Sequence, residues 1–191
     1  MDPHFYWYLS RAAGTVTFGL LALSTALGLL ISTRLGDKLF ERPWVFELHK
    51  FASVLGLAFL GLHMAVLLPD PWTHFRAIDL LLPGASYWRP WAVSVGVAAM
   101  YGSVIGTATF YVRKLLGHRT WRLLHYTTFA TFFLALCHCL AAGTDSGTMW
   151  LQGLYAGSGL LVSCLTVYRF LDAEPKAKRR PGLAAPSELA A

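Results

Sequence analysis

Five stretches of the chain are apolar for long enough to cross a lipid bilayer, and they leave little room for any other fold. A spanning helix needs about 20 apolar residues, because hydrocarbon offers no water to the backbone and each segment must satisfy its own N–H and C=O groups. The stretches are Ala12–Thr33 (span A), Val45–Leu68 (B), Trp91–Val112 (C), Trp121–Ala142 (D) and Met149–Phe170 (E). They predict an all-α integral membrane bundle of about five transmembrane helices. Composition agrees: 14% of the residues are charged, where a soluble domain carries about a quarter. Pro43 and Pro90 stand just before or at the start of spans B and C, where a missing N–H costs nothing. Trp44, Trp88, Trp91, Trp121, Trp150 and Tyr168 lie near span ends, as in an interfacial aromatic belt. The first span lacks a small-residue cleavage site and is expected to be a retained helix rather than a signal peptide.

With five spans, the amino terminus, the B–C loop and the D–E loop share one side of the membrane. Of the 16 Lys and Arg residues, Arg11, Arg76 and Arg89 fall on that side and the other thirteen on the opposite one. Cytoplasmic flanks carry the excess of Lys and Arg, so the expected topology has the amino terminus outside and the carboxyl terminus in the cytoplasm. The net charge of +6 is then a topology signal, and no nucleic acid is needed to explain it. The B–C loop, Pro69 to Pro90, mixes Trp72, Phe75 and Leu80–Leu82 with Asp70, Arg76 and Asp79, and reads as an amphipathic segment on the outer surface. Residues 1–171 form the membrane domain. Residues 172–191, basic and without apolar periodicity, are expected to be a disordered cytoplasmic tail.

Ionisable side chains inside a span are rare and functional by default. Span B holds His49 and His63, fourteen residues apart; span D holds His125 and His138, thirteen apart. At 1.5 Å per residue these separations are roughly 21 and 20 Å, so each span carries one imidazole near each face of the bilayer. Spans B and D run in the same direction, because C lies between them. His49 and His125 therefore share the inner level, and His63 and His138 the outer. Two facing imidazoles at each level can hold one heme iron from both sides. The predicted bundle thus surrounds two stacked b hemes. Interhelical hydrogen bonding is the plainer role for a single membrane histidine, but it explains a depth-matched set of four poorly. A zinc or non-heme iron site would gather its ligands in one sphere rather than in two layers. One difficulty is angular. At 100° per residue, fourteen residues return His63 to within roughly 40° of His49, but thirteen place His138 about 140° from His125. Either span D is distorted or it meets the two hemes through different faces.

Other residues take lesser expectations. Gly56, midway between His49 and His63, permits close approach of a large ligand or of a packed helix. Phe59, Phe132 and Phe133 lie at the depth between the hemes. Arg42, Lys50, Arg119 and Arg122 at the inner level, and Arg76 and Arg89 at the outer, are candidate partners for heme propionates. Cys137, Cys139 and Cys164 lie in apolar runs and form neither a disulfide framework nor a heme-attachment motif. His4, His74 and His118 lie outside the spans and are not expected to be ligands.

The runs ELHKFASVLGLAFLGLHMAVLL and WRLLHYTTFATFFLALCHCLAAGTDSG, with their paired histidines on alternate spans, resemble the ferric reductase-like transmembrane domain. That superfamily includes iron reductases, the membrane part of NADPH oxidases and the heme-binding subunit of a bacterial methionine-sulfoxide reductase system. The resemblance covers nearly all of spans A to E. It implies two b-type hemes, His49 with His125 for the inner and His63 with His138 for the outer, passing electrons one at a time across the membrane. The compact build resembles the small bacterial members, which implies a bacterial inner membrane. Larger members differ. They have an additional amino-terminal span, where here only Phe5 to Leu9 precedes span A, and many continue into a flavin- and NADPH-binding module. No strand–glycine-rich-turn–helix unit follows span E here. Electrons are therefore expected from a quinol or a separate flavoprotein, and the external acceptor is ferric iron, oxygen or a partner protein. The chain is then an oxidoreductase or the electron-transfer subunit of one. Two other readings are a quinone-linked respiratory cytochrome b subunit, with Glu47, Asp79 and Asp145 as candidate polar groups, and a heme-free structural membrane subunit.

Overall fold

A computed structural model of the chain describes residues 4–33, 35, 37 and 40–173, with side chains to residue 171. Seven helices account for most of them: α1 (Phe5–Thr33), α2 (Arg42–Leu67), α3 (Ala77–Leu81), α4 (Pro90–Tyr111), α5 (Arg113–Leu116), α6 (His118–Ala142) and α7 (Met149–Ala173). No strand occurs among the described residues. The long helices α1, α2, α4, α6 and α7 are the five spans, each long and apolar enough to cross a membrane. The tail expected at 172–191 lies, beyond the last residues of α7, outside the described residues.

The boundaries follow local chemistry. α2 and α4 each begin with a proline in their first turn. Arg89, immediately before Pro90, is barred from ordinary helical backbone by the proline ring and takes a left-handed conformation with φ 41°. Its guanidinium donates to the Ala141 carbonyl at 2.6 Å, so this strained residue ties the start of α4 to the end of α6. Gly117, at φ 76°, ends the single turn of α5 and allows α6 to start at once. α1 begins seven residues before the expected start of span A, at Phe5. Nothing between Phe5 and Ala12 breaks a helix, and Arg11, the one charge there, pairs with Asp145 in the α6–α7 loop.

α1 packs antiparallel against α2 along its length, α4 packs on α6 in the same way, and α7 leans on α1. The bundle is thus two helical pairs with a fifth helix closing one side. Phe18 of α1 sits between Phe132 of α6 (5.9 Å between ring centres) and Tyr155 of α7 (5.1 Å, edge-on). Leu29, Leu151 and Val162 complete this core. Such aromatic pairs contribute about 0.5–1.5 kcal/mol beyond their contact area, which matters where lipid supplies no hydrophobic drive between helices. Gly56 is buried, and a side chain there would meet Leu20 at 3.5 Å, which is ordinary helix contact. Large apolar side chains such as Phe51, Leu123 and Leu160 are more than half exposed on the outer faces. An exposed apolar surface of this extent suits contact with membrane lipid.

The loop between α2 and α4 folds inward as well as lying across the end of the bundle where α1 starts. Phe75 and Leu80 are buried against Val93, Val97 and Met100, while Trp72, Leu81 and Leu82 stay exposed. Asp79 caps α3, accepting from the Arg76 backbone at 2.8 Å and from its guanidinium at 2.8 and 3.1 Å. Those hydrogen bonds hold the Asp79 carboxyl below the usual carboxylate range.

Candidate functional site

The paired helices α1–α2 and α4–α6 enclose two cavities stacked along the bundle. The one nearer the start of α1, outer in the expected topology and about 220 Å³, is lined by His63 and His138. The inner one, about 350 Å³, is lined by His49 and His125. The histidines expected to share a depth therefore share a cavity. Thr17, Leu21, Leu60 and Ser103 line both and form the partition between them. Phe59, Phe132 and Phe133, which lie at this depth in sequence, line neither cavity; Phe132 belongs to the α1–α6–α7 core and Phe133 is exposed.

Three of the four imidazoles are fixed by the same device. His63 Nδ1 lies 2.8 Å from the Ser10 carbonyl oxygen, His49 Nδ1 2.8 Å from that of Ser24, and His138 Nδ1 2.8 Å from that of Ala92. A carbonyl only accepts, so each Nδ1 carries the ring proton and donates it. Nε2 is left as the nitrogen with the free lone pair, the form in which histidine binds a metal. The serine hydroxyls add to this on α2: Ser10 Oγ and Ser24 Oγ each lie 3.1 Å from the same Nδ1. Ser24 Oγ is braced in turn by Ser53 at 2.7 Å.

Each anchored ring presses on a glycine one helical turn beyond its carbonyl. A Cβ on Gly14 would stand 2.9 Å from His63 Nδ1, one on Gly28 3.3 Å from His49 Cε1, and one on Gly96 2.5 Å from His138 Nδ1. The missing side chains are what allow the imidazoles to lie against the neighbouring helix. These residues escaped the reading of the spans, although a signal was present. Ser-x-x-x-Gly occurs in α1 at Ser10–Gly14 and again at Ser24–Gly28, with the fourteen-residue period of His49 and His63. Ala92–Gly96 repeats the arrangement in α4.

His125 differs. Its buried Nδ1 makes only a weak contact with the Gly106 backbone, fourteen residues along α4 from Ala92, and its ring stacks on Trp121 at 5.4 Å. It faces His49 with 6.2 Å between ring centres and the ring planes nearly perpendicular, at 83°. Two metal–imidazole bonds of about 2 Å each, plus the half-widths of the two rings, put two axial imidazoles at roughly 6 Å between centres. The inner pair is thus spaced as two ligands of one metal. α6 is an unbroken α-helix from His118 to Ala142, so the thirteen-residue spacing is absorbed by direction rather than distortion. His138 turns onto the backbone of α4, and His125 turns toward Trp121 and His49.

The candidate propionate partners separate into two groups. Lys50 and Arg122 line the inner cavity, and Arg169, which the spans did not single out, joins them. Arg42 is held by the Ile31 carbonyl and Asp37, Arg76 by Asp79 and Arg89 by the Ala141 carbonyl. None of these three lines a cavity, and neither does Arg119. The outer cavity contains Arg11 instead, paired with Asp145. Glu47 pairs with Lys50 at 2.7 Å. His118 lines the inner mouth, while His4 stacks on Trp72 at the outer end. Cys139 and Tyr155 both line the outer cavity.

Among the described residues, no group of three or more His, Cys, Asp or Glu side chains could hold a metal ion. At each level the two imidazoles have no third His, Cys or carboxylate grouped with them among the described residues, a donor set suited to a metal that brings its own equatorial ligands. No family model matches the chain, and no curated protein or solved structure is significantly similar to it.

Proposed function

We propose that this chain is a transmembrane electron-transfer protein in which His49 and His125 hold an inner b heme and His63 and His138 an outer one. The observation that carries the reading is the inner pair, 6.2 Å apart with no third His, Cys or carboxylate grouped with it among the described residues. Proton-bearing Nδ1 atoms on His49, His63 and His138 support it. A heme so held supplies a one-electron couple that needs no proton at the iron. The chain's own residues do the remainder. The α1 and α4 carbonyls orient three ligands, and the glycines clear space for them. The walls of both cavities are largely apolar.

The direction we assign is inward to outward. Electrons arrive from a quinol or a partner flavoprotein at the His49–His125 level and leave from the His63–His138 level to an external acceptor such as ferric iron or a protein. This rests on the Lys and Arg asymmetry, which puts the amino terminus outside and the tail in the cytoplasm of a bacterial cell. A fluorescent-protein fusion after Leu171 is expected to fluoresce and an alkaline phosphatase fusion to be inactive; the reverse pair would invert the direction. In sealed proteoliposomes, NADPH alone is expected to leave the heme absorbance unchanged, and a quinol or flavoprotein to reduce it. An impermeant ferric complex on the outer side then restores the oxidised spectrum. Rapid exchange with quinone, without reoxidation by any impermeant acceptor, would replace this reading with a quinone-linked respiratory one.

A further inference from the structure

The two cavities differ in charge. The outer one has a single cationic side chain, Arg11, neutralised by Asp145. The inner one is lined by Lys50, Arg122 and Arg169, and by no Asp or Glu among the described residues. Lys50 has Glu47 as a partner. The two arginines have no carboxylate within ion-pair distance among the residues whose side chains are described. They converge instead on one neutral oxygen. Arg122 Nη2 donates to the Tyr126 hydroxyl at 2.9 Å, and Arg169 Nη2 donates to the same hydroxyl at 3.0 Å. Arg122 comes from α6 and Arg169 from α7.

Two guanidinium groups sharing one acceptor hold their nitrogens within about 6 Å of each other, where like charges at the edge of a low-dielectric bundle repel. A phenol oxygen does not offset that repulsion, and an anion between the guanidinium groups would. Each guanidinium has five N–H donors and uses one on Tyr126, so a fork remains for bidentate binding of a carboxylate. Tyr126 lies one residue beyond His125, so the cations stand at the cytoplasmic rim of the cavity that holds the histidine pair.

We propose that Arg122 and Arg169, drawn together on the Tyr126 hydroxyl, are a carboxylate clamp for the group held between His49 and His125. The inference rests on the heme reading, in which the carboxylates are the propionates of the inner heme. The clamp selects the porphyrin's orientation, with the propionates toward the cytoplasm. Its positive charge favours the reduced state of the iron on that side.

The test uses the purified, heme-loaded protein in neutral detergent stripped of phospholipid. In Arg169→Gln and Arg122→Gln, the inner component of an optical redox titration is expected at lower potential, with the outer component unmoved. Transfer of the inner heme to apomyoglobin is expected to be about tenfold faster, the worth of one lost charge-assisted hydrogen bond. Arg169→Lys, which keeps the charge, should retain most of the potential and lose part of the retention. A heme-loaded Arg169→Gln with unchanged potential and retention overturns the clamp while leaving the hemes in place. A shift that appears only in nanodiscs containing an anionic phospholipid, and never in lipid-free detergent, also overturns it, because the anion is then a headgroup phosphate. Wild-type protein without heme by pyridine hemochrome would remove the underlying reading, and the clamp with it, a result distinct from either of these.

Discussion

Replacing His49 or His125 with alanine is expected to abolish the inner heme and leave the outer one, and replacing His63 or His138 to do the reverse. Depth on two parallel helices leads to this pairing, and the cavities group the same residues. An alanine leaves an axial position empty, and among the described residues no third His, Cys or carboxylate is grouped with either pair closely enough to hold a metal. The expected effect is therefore loss of one heme of two. Redox titration of the four variants should show the low- and high-potential components disappearing in matched pairs. The same component lost in His49→Ala and in His138→Ala would contradict the pairing. The four losses need not be equal in severity. His125 has only a weak backbone contact, with Gly106, where the other three hold a carbonyl at 2.8 Å, so its ring is the least constrained ligand. His125→Gly with added imidazole is expected to recover the inner spectrum more fully than His49→Gly, whose cavity loses its contacts with Ser24 as well.

The second large effect needs no change to a ligand. A Cβ on Gly96 would stand 2.5, 2.6 and 2.9 Å from three ring atoms of His138. That ring cannot withdraw without breaking its 2.8 Å bond to the Ala92 carbonyl. Overpacking of this kind costs about 1–3 kcal/mol, and losing the bond about 1 kcal/mol more. Gly96→Ala should therefore lower retention of the outer heme roughly thirty- to a thousandfold while the inner heme stays. The glycines supply an internal scale. Gly14→Ala, at 2.9 Å from His63, should be intermediate, and Gly28→Ala, at 3.3 Å from His49, mild. Gly153→Ala, with nothing within 4 Å, should have no effect. Equal losses across the series would mean that general helix packing, rather than the imidazole, sets the need for glycine.

The five helices could be read in the sequence because hydrocarbon allows so few alternatives, and composition alone marks the segments. The depth of each histidine was legible for a similar reason: the helical rise is fixed, so residue number converts directly to height. Azimuth was not legible. Which way His125 and His138 face depends on where α4 and α2 stand, and spacing along α6 says nothing of that. The same gap hid Ser10, Ser24 and Ala92, whose backbone carbonyls serve histidines more than forty residues away for Ser10–His63 and Ala92–His138. Phe132 lies at the depth between the two levels, but it is a core side chain, facing Phe18 and α7. Arg169 was passed over as one of many basic residues at the inner end. Only the fold brings it beside Tyr126, forty-three positions earlier in the chain. The α2–α4 loop showed its amphipathic character, but not that Phe75 and Leu80 would turn inward over the outer cavity.

The central claim is that the two histidine pairs hold two hemes, and the most direct measurement is the heme content of the purified protein, with its EPR spectrum. The account predicts two b hemes per chain by pyridine hemochrome and two low-spin ferric signals. The inner one should carry the signature of nearly perpendicular axial imidazoles, as the 83° between His49 and His125 requires. A heme content near zero, or a high-spin five-coordinate spectrum, would contradict it.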